Sequence, residues 1–154
     1  MAPDDSYTHY ALALAYRYHG LITRSERVIA VAIGINPEIT GYFAIQADVY
    51  IIQSEYIKAL DSLKIGLRLD PKHIYCLQLK LRVLIQLLLL VDAEQVADCL
   101  LPLCPNDAIV YRLVGDLYQL QNKKQQSVAA YQESLRLNPL QSDLQVLIQV
   151  YMYQ

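Results

Sequence analysis

Arg136-Leu137-Asn138-Pro139 closes the last of four blocks that end alike, after Gly34-Ile35-Asn36-Pro37, Arg68-Leu69-Asp70-Pro71 and Pro102-Leu103-Cys104-Pro105. The prolines at 37, 71, 105 and 139 recur at one constant spacing. A fixed period of this length means one small structural unit copied in series, not a single globular core. Cutting at the period gives Tyr7–Thr40, Gly41–Ile74, Tyr75–Ala108 and Ile109–Ser142. An Asn or Asp before Pro favours leaving a helix and entering a turn.

Within the blocks the columns agree. One reads Tyr16, Tyr50, Leu84, Tyr118; three residues before it stand Ala13, Ala47, Leu81, Gly115; a third reads Ser25, Ala59, Ala93, Ser127. Small residues let helices approach, and the aromatic fills the volume beside them. In 44–52 the apolar residues Ala44, Ile45, Ala47, Ile51 and Ile52 fall at helical spacing. After a break at Gln53-Ser54-Glu55, Tyr56, Ala59, Leu60, Leu63 and Leu67 resume it. This is the pattern of amphipathic helices, not of strands. Each block therefore reads as two antiparallel helices of about three turns.

These columns resemble the tetratricopeptide repeat family, whose 34-residue helix–turn–helix unit places a small residue, Tyr, Ala, an aromatic or aliphatic, and Pro in that order. Gly115, Tyr118, Ser127, Tyr131 and Pro139 carry the closest match; Ala47, Tyr50, Ala59, Leu63, Gly66 and Pro71 follow it. The resemblance implies an all-α, right-handed α-solenoid. It would comprise four repeats (7–40, 41–74, 75–108, 109–142), a C-terminal capping helix 143–154 and a short lead-in, 1–6. Leu144, Leu147, Ile148 and Tyr151 form the stripe that covers the last repeat; Val146, Val150 and Met152 are left on the cap's other side.

The third block departs from the pattern. Leu81 and Leu100 fill small columns while Ala97 stands where a large residue belongs, an exchange that can keep core volume. Its interhelical turn reads Leu87-Leu88-Leu89-Leu90-Val91 where polar residues are expected. Either the first helix runs on and these leucines pack on neighbouring repeats, or they form a contact surface. The apolar stretch is too short for a membrane span and contains Arg82 and Gln86.

Hydrophobic residues make up 55 % of the chain and charged ones only 18 %, with a net charge of −2, so no basic footprint for nucleic acid exists. Tyrosine is overused, 13 against one Phe and no Trp, and about half of these fill repeat columns. Three Cys with no secretory signal point to reduced thiols and a cytoplasmic setting. His73 and Cys76 are spaced to share a metal, but no second pair completes a site. No phosphate loop, serine elbow or carboxylate pair is present, so neither catalysis nor a cofactor is expected.

The resemblance implies a concave face lined by the first helix of each repeat. That assigns Tyr7, Tyr10, Leu14 and Arg17; Gly41, Ala44, Asp48 and Ile51; Tyr75, Gln78, Arg82 and Ile85; Ile109, Arg112, Asp116 and Gln119. Such a groove suits a protein or peptide segment with apolar anchors and both charge signs. Asp48 with Arg82, and Arg112 with Asp116, are the internal pairings that compete with a ligand. Some members clamp a C-terminal carboxylate on this face with Lys, Asn and Arg. Here Tyr10, Leu14, Ile45 and Leu79 stand in the comparable places, so that function is not expected. The expected function is a non-catalytic peptide- or protein-binding scaffold. The alternatives are a structural or assembly module, part of a larger array or a homo-oligomer such as a homodimer, that self-associates through Leu87, Leu88, Leu89, Leu90 and Val91 with Val146, Val150 and Met152, and an engineered repeat scaffold without a natural partner.

Overall fold

A left-handed residue ends the first helix of every repeat. It falls at Gly20, Ser54, Leu88 and Asn122, with φ of 74°, 61°, 57° and 58°. The next N–H donates to the carbonyl five residues back: Leu21 to Tyr16, Glu55 to Tyr50, Leu89 to Leu84, Lys123 to Tyr118. The left-handed residue itself donates three back, as Gly20 does to Arg17 and Asn122 to Gln119. This paired pattern satisfies the helix's last carbonyls and reverses the chain.

In the computed structural model, residues 5–153 are described. They form nine helices and no strand: α1 Asp5–Tyr18, α2 Ile22–Ile35, α3 Thr40–Ile52, α4 Tyr56–Leu69, α5 Ile74–Gln86, α6 Leu90–Leu100, α7 Ala108–Leu120, α8 Lys124–Leu137 and α9 Ser142–Met152. Asp5 and Ser6 belong to α1 and not to a lead-in. Asp5 sits where an acid favours the helix dipole, and Ser6 is buried against Tyr42 with a 3.0 Å hydroxyl–hydroxyl bond. Residues 1–4 and 154 lie outside the described residues. No described helix is long and apolar enough to cross a membrane.

The second turn of the first, second and fourth repeats uses Asx chemistry. The side-chain oxygens of Asn36, Asp70 and Asn138 accept the N–H two residues on, from Glu38, Lys72 and Leu140. Cys104 cannot do this, and its thiol instead donates to the Leu100 carbonyl at 3.1 Å. Helix α6 is correspondingly short, ending at Leu100, because Pro102 has no N–H to continue the ladder.

The described residues divide into two compact units, one up to Val83 and one from Leu84. In the first, Ala13, Ile29, Ala32, Tyr42 and Ile45 form a buried cluster flanked by Tyr10, Leu14 and Tyr75. Gly66 marks a close approach here: a methyl in its place would meet Cys76 Sγ and Phe43 Cβ at 3.3 Å. In the second, Tyr131, Leu144 and Ile148 are buried together, with Leu147 and Tyr151 packed on them. A methyl at Gly115 would run into the Tyr131 ring. The buried hydroxyls of Ser25 and Ser127 donate to the carbonyls of Ala13 and Gly115, so the small and polar columns satisfy one another.

The leucine-rich turn does not prolong α5. Leu88 adopts the same left-handed conformation as Gly20, and its side chain is 64 % exposed. A Cβ-bearing residue without a local side-chain hydrogen bond is disfavoured there by about 1–2 kcal/mol. Leu88→Gly and Leu88→Asn are therefore expected to raise stability by about 0.5–1 kcal/mol, or about 1–4 °C in a thermal melt of a chain this size. A lower melting temperature for both variants would show that Leu88 makes contacts that outweigh its backbone strain.

Candidate functional site

Helices α1, α3 and α5 contribute residues to one shared face within the first unit. At its centre Asp48, on α3, is only 4 % exposed. Arg17 Nη1, from α1, donates to Asp48 Oδ2 at 2.5 Å. The Tyr75 hydroxyl, from α5, donates to the same oxygen at 3.1 Å. Arg82 Nη1 lies 3.9 Å from the other oxygen, Oδ1, close enough for attraction but beyond a hydrogen bond. The expected Asp48–Arg82 pairing is thus the loose one, and Arg17 is the tight partner. Burial, and then the Asp48 charge, push the Tyr75 hydroxyl up to about 12, so it stays a donor at neutral pH. Arg17 Nε is buried without a hydrogen-bond partner.

Around this cluster Tyr7 is 66 % exposed, while Tyr10, Leu14, Ile51 and Gln78 are half-buried. The rings of Tyr7, Tyr10 and Tyr42 form a ladder with centroids 6.0 and 5.1 Å apart. Ala44 is buried, and a methyl built on Gly41 would meet nothing within 4 Å.

In the second unit the assigned groove residues behave differently. Ile85 is buried and forms no open wall. Arg112 pairs not with Asp116 but with Asp143 at the start of α9, and also reaches Gln141 at 3.5 Å. The Tyr131 hydroxyl lies 2.7 Å from Asp116 Oδ1 and 2.9 Å from Gln119 Oε1 and shares its one proton between them, so both are turned towards α8. Burial raises the Asp116 carboxyl above its ordinary value, with Tyr131 and Arg112 opposing.

Among the residues expected at an oligomer interface, Leu88, Leu89, Val91, Val146, Val150 and Met152 are exposed, whereas Leu87 and Leu90 are half-buried. Helix α9 starts one full period after α7, Ser142 against Ala108, which puts Val146 and Val150 in register with Arg112 and Asp116. They continue the groove positions of the repeat frame, a placement that a fifth application of the period would have found. A hollow of about 410 Å³ opens between α8 and α9, lined by Lys124, Gln125, Val128, Gln132, Tyr151 and Met152.

The Cys76 N–H donates to His73 Nδ1 at 3.3 Å, which caps α5, and burial pushes the Cys76 thiol up to about 12. Among the described residues no three His, Cys, Asp or Glu side chains are grouped to hold a metal.

The sequence matches no family model and no curated protein. Solved structures do resemble it. MamA (41-end) from Desulfovibrio magneticus RS-1 aligns with a TM-score of 0.85 at 16 % identity, over 98 % of this chain and 85 % of that one. TTC0263, a thermophilic tetratricopeptide repeat protein of Thermus thermophilus, gives 0.82 at 19 %, over 99 % and 84 %. YrrB, described as a tetratricopeptide repeat protein with an unusual peptide-binding site, gives 0.79 at 12 %, over 94 % and 74 %. At these identities the likeness carries the fold and nothing finer.

Two measurements check the electrostatics. Arg17→Gln, which leaves the buried Asp48 carboxylate without its tight partner, is expected to cost about 1–3 kcal/mol, discounted from the usual cost of breaking a buried pair because Arg17 is one-third exposed. Arg82→Gln is expected to cost less than about 1 kcal/mol, since its ion pair is long and partly solvated. Equal costs in denaturant melts would refute the ranking of the two arginines. For Asp116 the folded carboxyl lies above its unfolded value, so the native state holds the proton more tightly. Its ionisation therefore lowers stability as pH rises through the carboxyl range. Asp116→Asn keeps an acceptor for Tyr131 and removes that loss. The stability of the variant relative to wild type should grow from acid to neutral pH, and a flat difference would contradict the assignment.

Proposed function

Given an all-α solenoid with the tetratricopeptide-repeat fold, we propose that the protein is a non-catalytic interaction scaffold. It takes a peptide segment of a partner protein on the face shared by α1, α3 and α5. The observation that carries this reading is the pairing of an ordered base with an open top. Asp48 fixes Arg17 and Tyr75, while Tyr7 is exposed and the Arg82 side chain is partly exposed. Rigid, partly solvated aromatic and guanidinium groups are the side chains enriched at binding hot spots. The peptide-binding site ascribed to YrrB, a protein of the same fold, supports the reading. The groups nearest to catalytic chemistry are occupied structurally: His73 caps a helix and the Cys76 thiol is held protonated by burial.

A second reading rests on a separate observation, the exposure of Leu88, Leu89 and Val91 in one place and of Val146, Val150 and Met152 in another. These are apolar surfaces that association would cover.

One experiment separates the two. Random twelve-residue peptides displayed on phage are selected on the wild-type protein and then tested on Arg82→Glu and on Leu88→Asp/Val150→Asp. Light scattering follows the mass of each protein against concentration. Peptide binding lost in Arg82→Glu and kept in the double variant supports the scaffold. A concentration-dependent dimer that only the double variant dissociates, with no peptide selected, supports self-association.

A further inference from the structure

We propose that the segment bound on the α1–α3–α5 face presents an acidic side chain to Arg82 and, two helical turns away, an aromatic or aliphatic side chain to the tyrosines. This rests on the scaffold reading above and adds the chemistry of the partner.

Charge complementarity is the first support. On this face two guanidinium groups share one carboxylate. Asp48 Oδ2 is filled by Arg17 and the Tyr75 hydroxyl. Only Oδ1 is left for Arg82, and at 3.9 Å it gives attraction without a hydrogen bond. The Arg82 side chain is 42 % exposed, so its planar donor fork is presented to solvent with a surplus positive charge behind it. The natural complement of such a fork is a carboxylate held by two parallel N–H···O bonds.

Geometry supplies the second requirement. Tyr75 lies seven residues before Arg82 on α5, about 10 Å between their backbones along the helix, and because its hydroxyl end reaches the same carboxylate as Arg82, the apolar contact falls on its ring. On α1, Tyr10 stands equally far before Arg17, and Tyr10 and Tyr75 flank the same buried cluster. Gly41 lies between on α3, where an added methyl would meet open space. An extended segment of the polyproline II kind, with three residues per turn and about 3.1 Å per residue, spans this distance with same-side side chains three residues apart. A helical one needs seven.

The test uses the peptides selected in the preceding experiment, made with acetylated N-termini and amidated C-termini. Each carries fluorescein and has a twin in which every Glu and Asp is replaced by its amide. A third version keeps the amides but has a free C-terminal carboxylate. Fluorescence polarisation is read at low ionic strength. We expect the acidic peptide to bind about threefold to fivefold more tightly than its amide twin, a size set by a half-exposed ion pair, and to lose this advantage in added salt. In Arg82→Gln, a substitution at a partly exposed position, the acidic peptide and its twin should bind alike.

Equal binding of the two peptides to wild type would overturn the inference while leaving the scaffold reading intact. A preference that survives Arg82→Gln, or tightest binding by the free-carboxylate version, would overturn it as well. Failure to select any peptide would remove the scaffold reading itself.

Discussion

The whole arrangement depends on how each first helix ends. A residue in the left-handed region, followed by the six-to-one and five-to-two hydrogen bonds, closes α1, α3, α5 and α7 at the same point of the period. Because that point is fixed, the second helix always returns at the same place, and the small column at 13 and 115 meets the serine column at 25 and 127. Where the chain offers Gly, Ser or Asn, the turn costs little. At Leu88 the same geometry is imposed on a residue that resists it.

From this register follows the electrostatics. A residue on one first helix meets its partner on the next about one turn short of the full period. Arg17–Asp48 and Arg112–Asp143 both obey that offset. In the first unit it buries a carboxylate under an arginine and a tyrosine. In the second it leaves the pair exposed and hands Asp116 to Tyr131 instead. The same frame therefore yields two different surfaces. The first unit carries an anchored cluster with a surplus cation, and the second an ion pair flanked by exposed Ile109, Val146 and Val150.

Much of the fold was legible because proline, asparagine and the small columns act locally and repeat. The break at Gln53-Ser54-Glu55 coincides with the gap between α3 and α4, and the stripe Leu144, Leu147, Ile148, Tyr151 does pack in the second unit. The early end of α6 follows from Pro102, a signal that was present but hidden inside an otherwise regular block end. The pairings were less legible. Sequence frames compare equivalent positions one period apart, or neighbours one turn apart on a single helix. Neither comparison finds Asp48 opposite Arg17, because that offset comes from how adjacent helices slide past one another. Ile85 failed as a groove wall for a related reason: position in a frame sets direction, while burial depends on what the neighbouring helices place over it.

The most direct check is a nitrogen-15 NMR titration of the protein with an acetylated, amidated acidic peptide from the selection. The account predicts that shifts concentrate on the amides of Gly41, Tyr75 and Gln78 and on the Arg82 side-chain Nε–H. Shifts confined to Leu88–Val91 and Val146–Met152 would contradict it and transfer the binding role to the apolar surfaces.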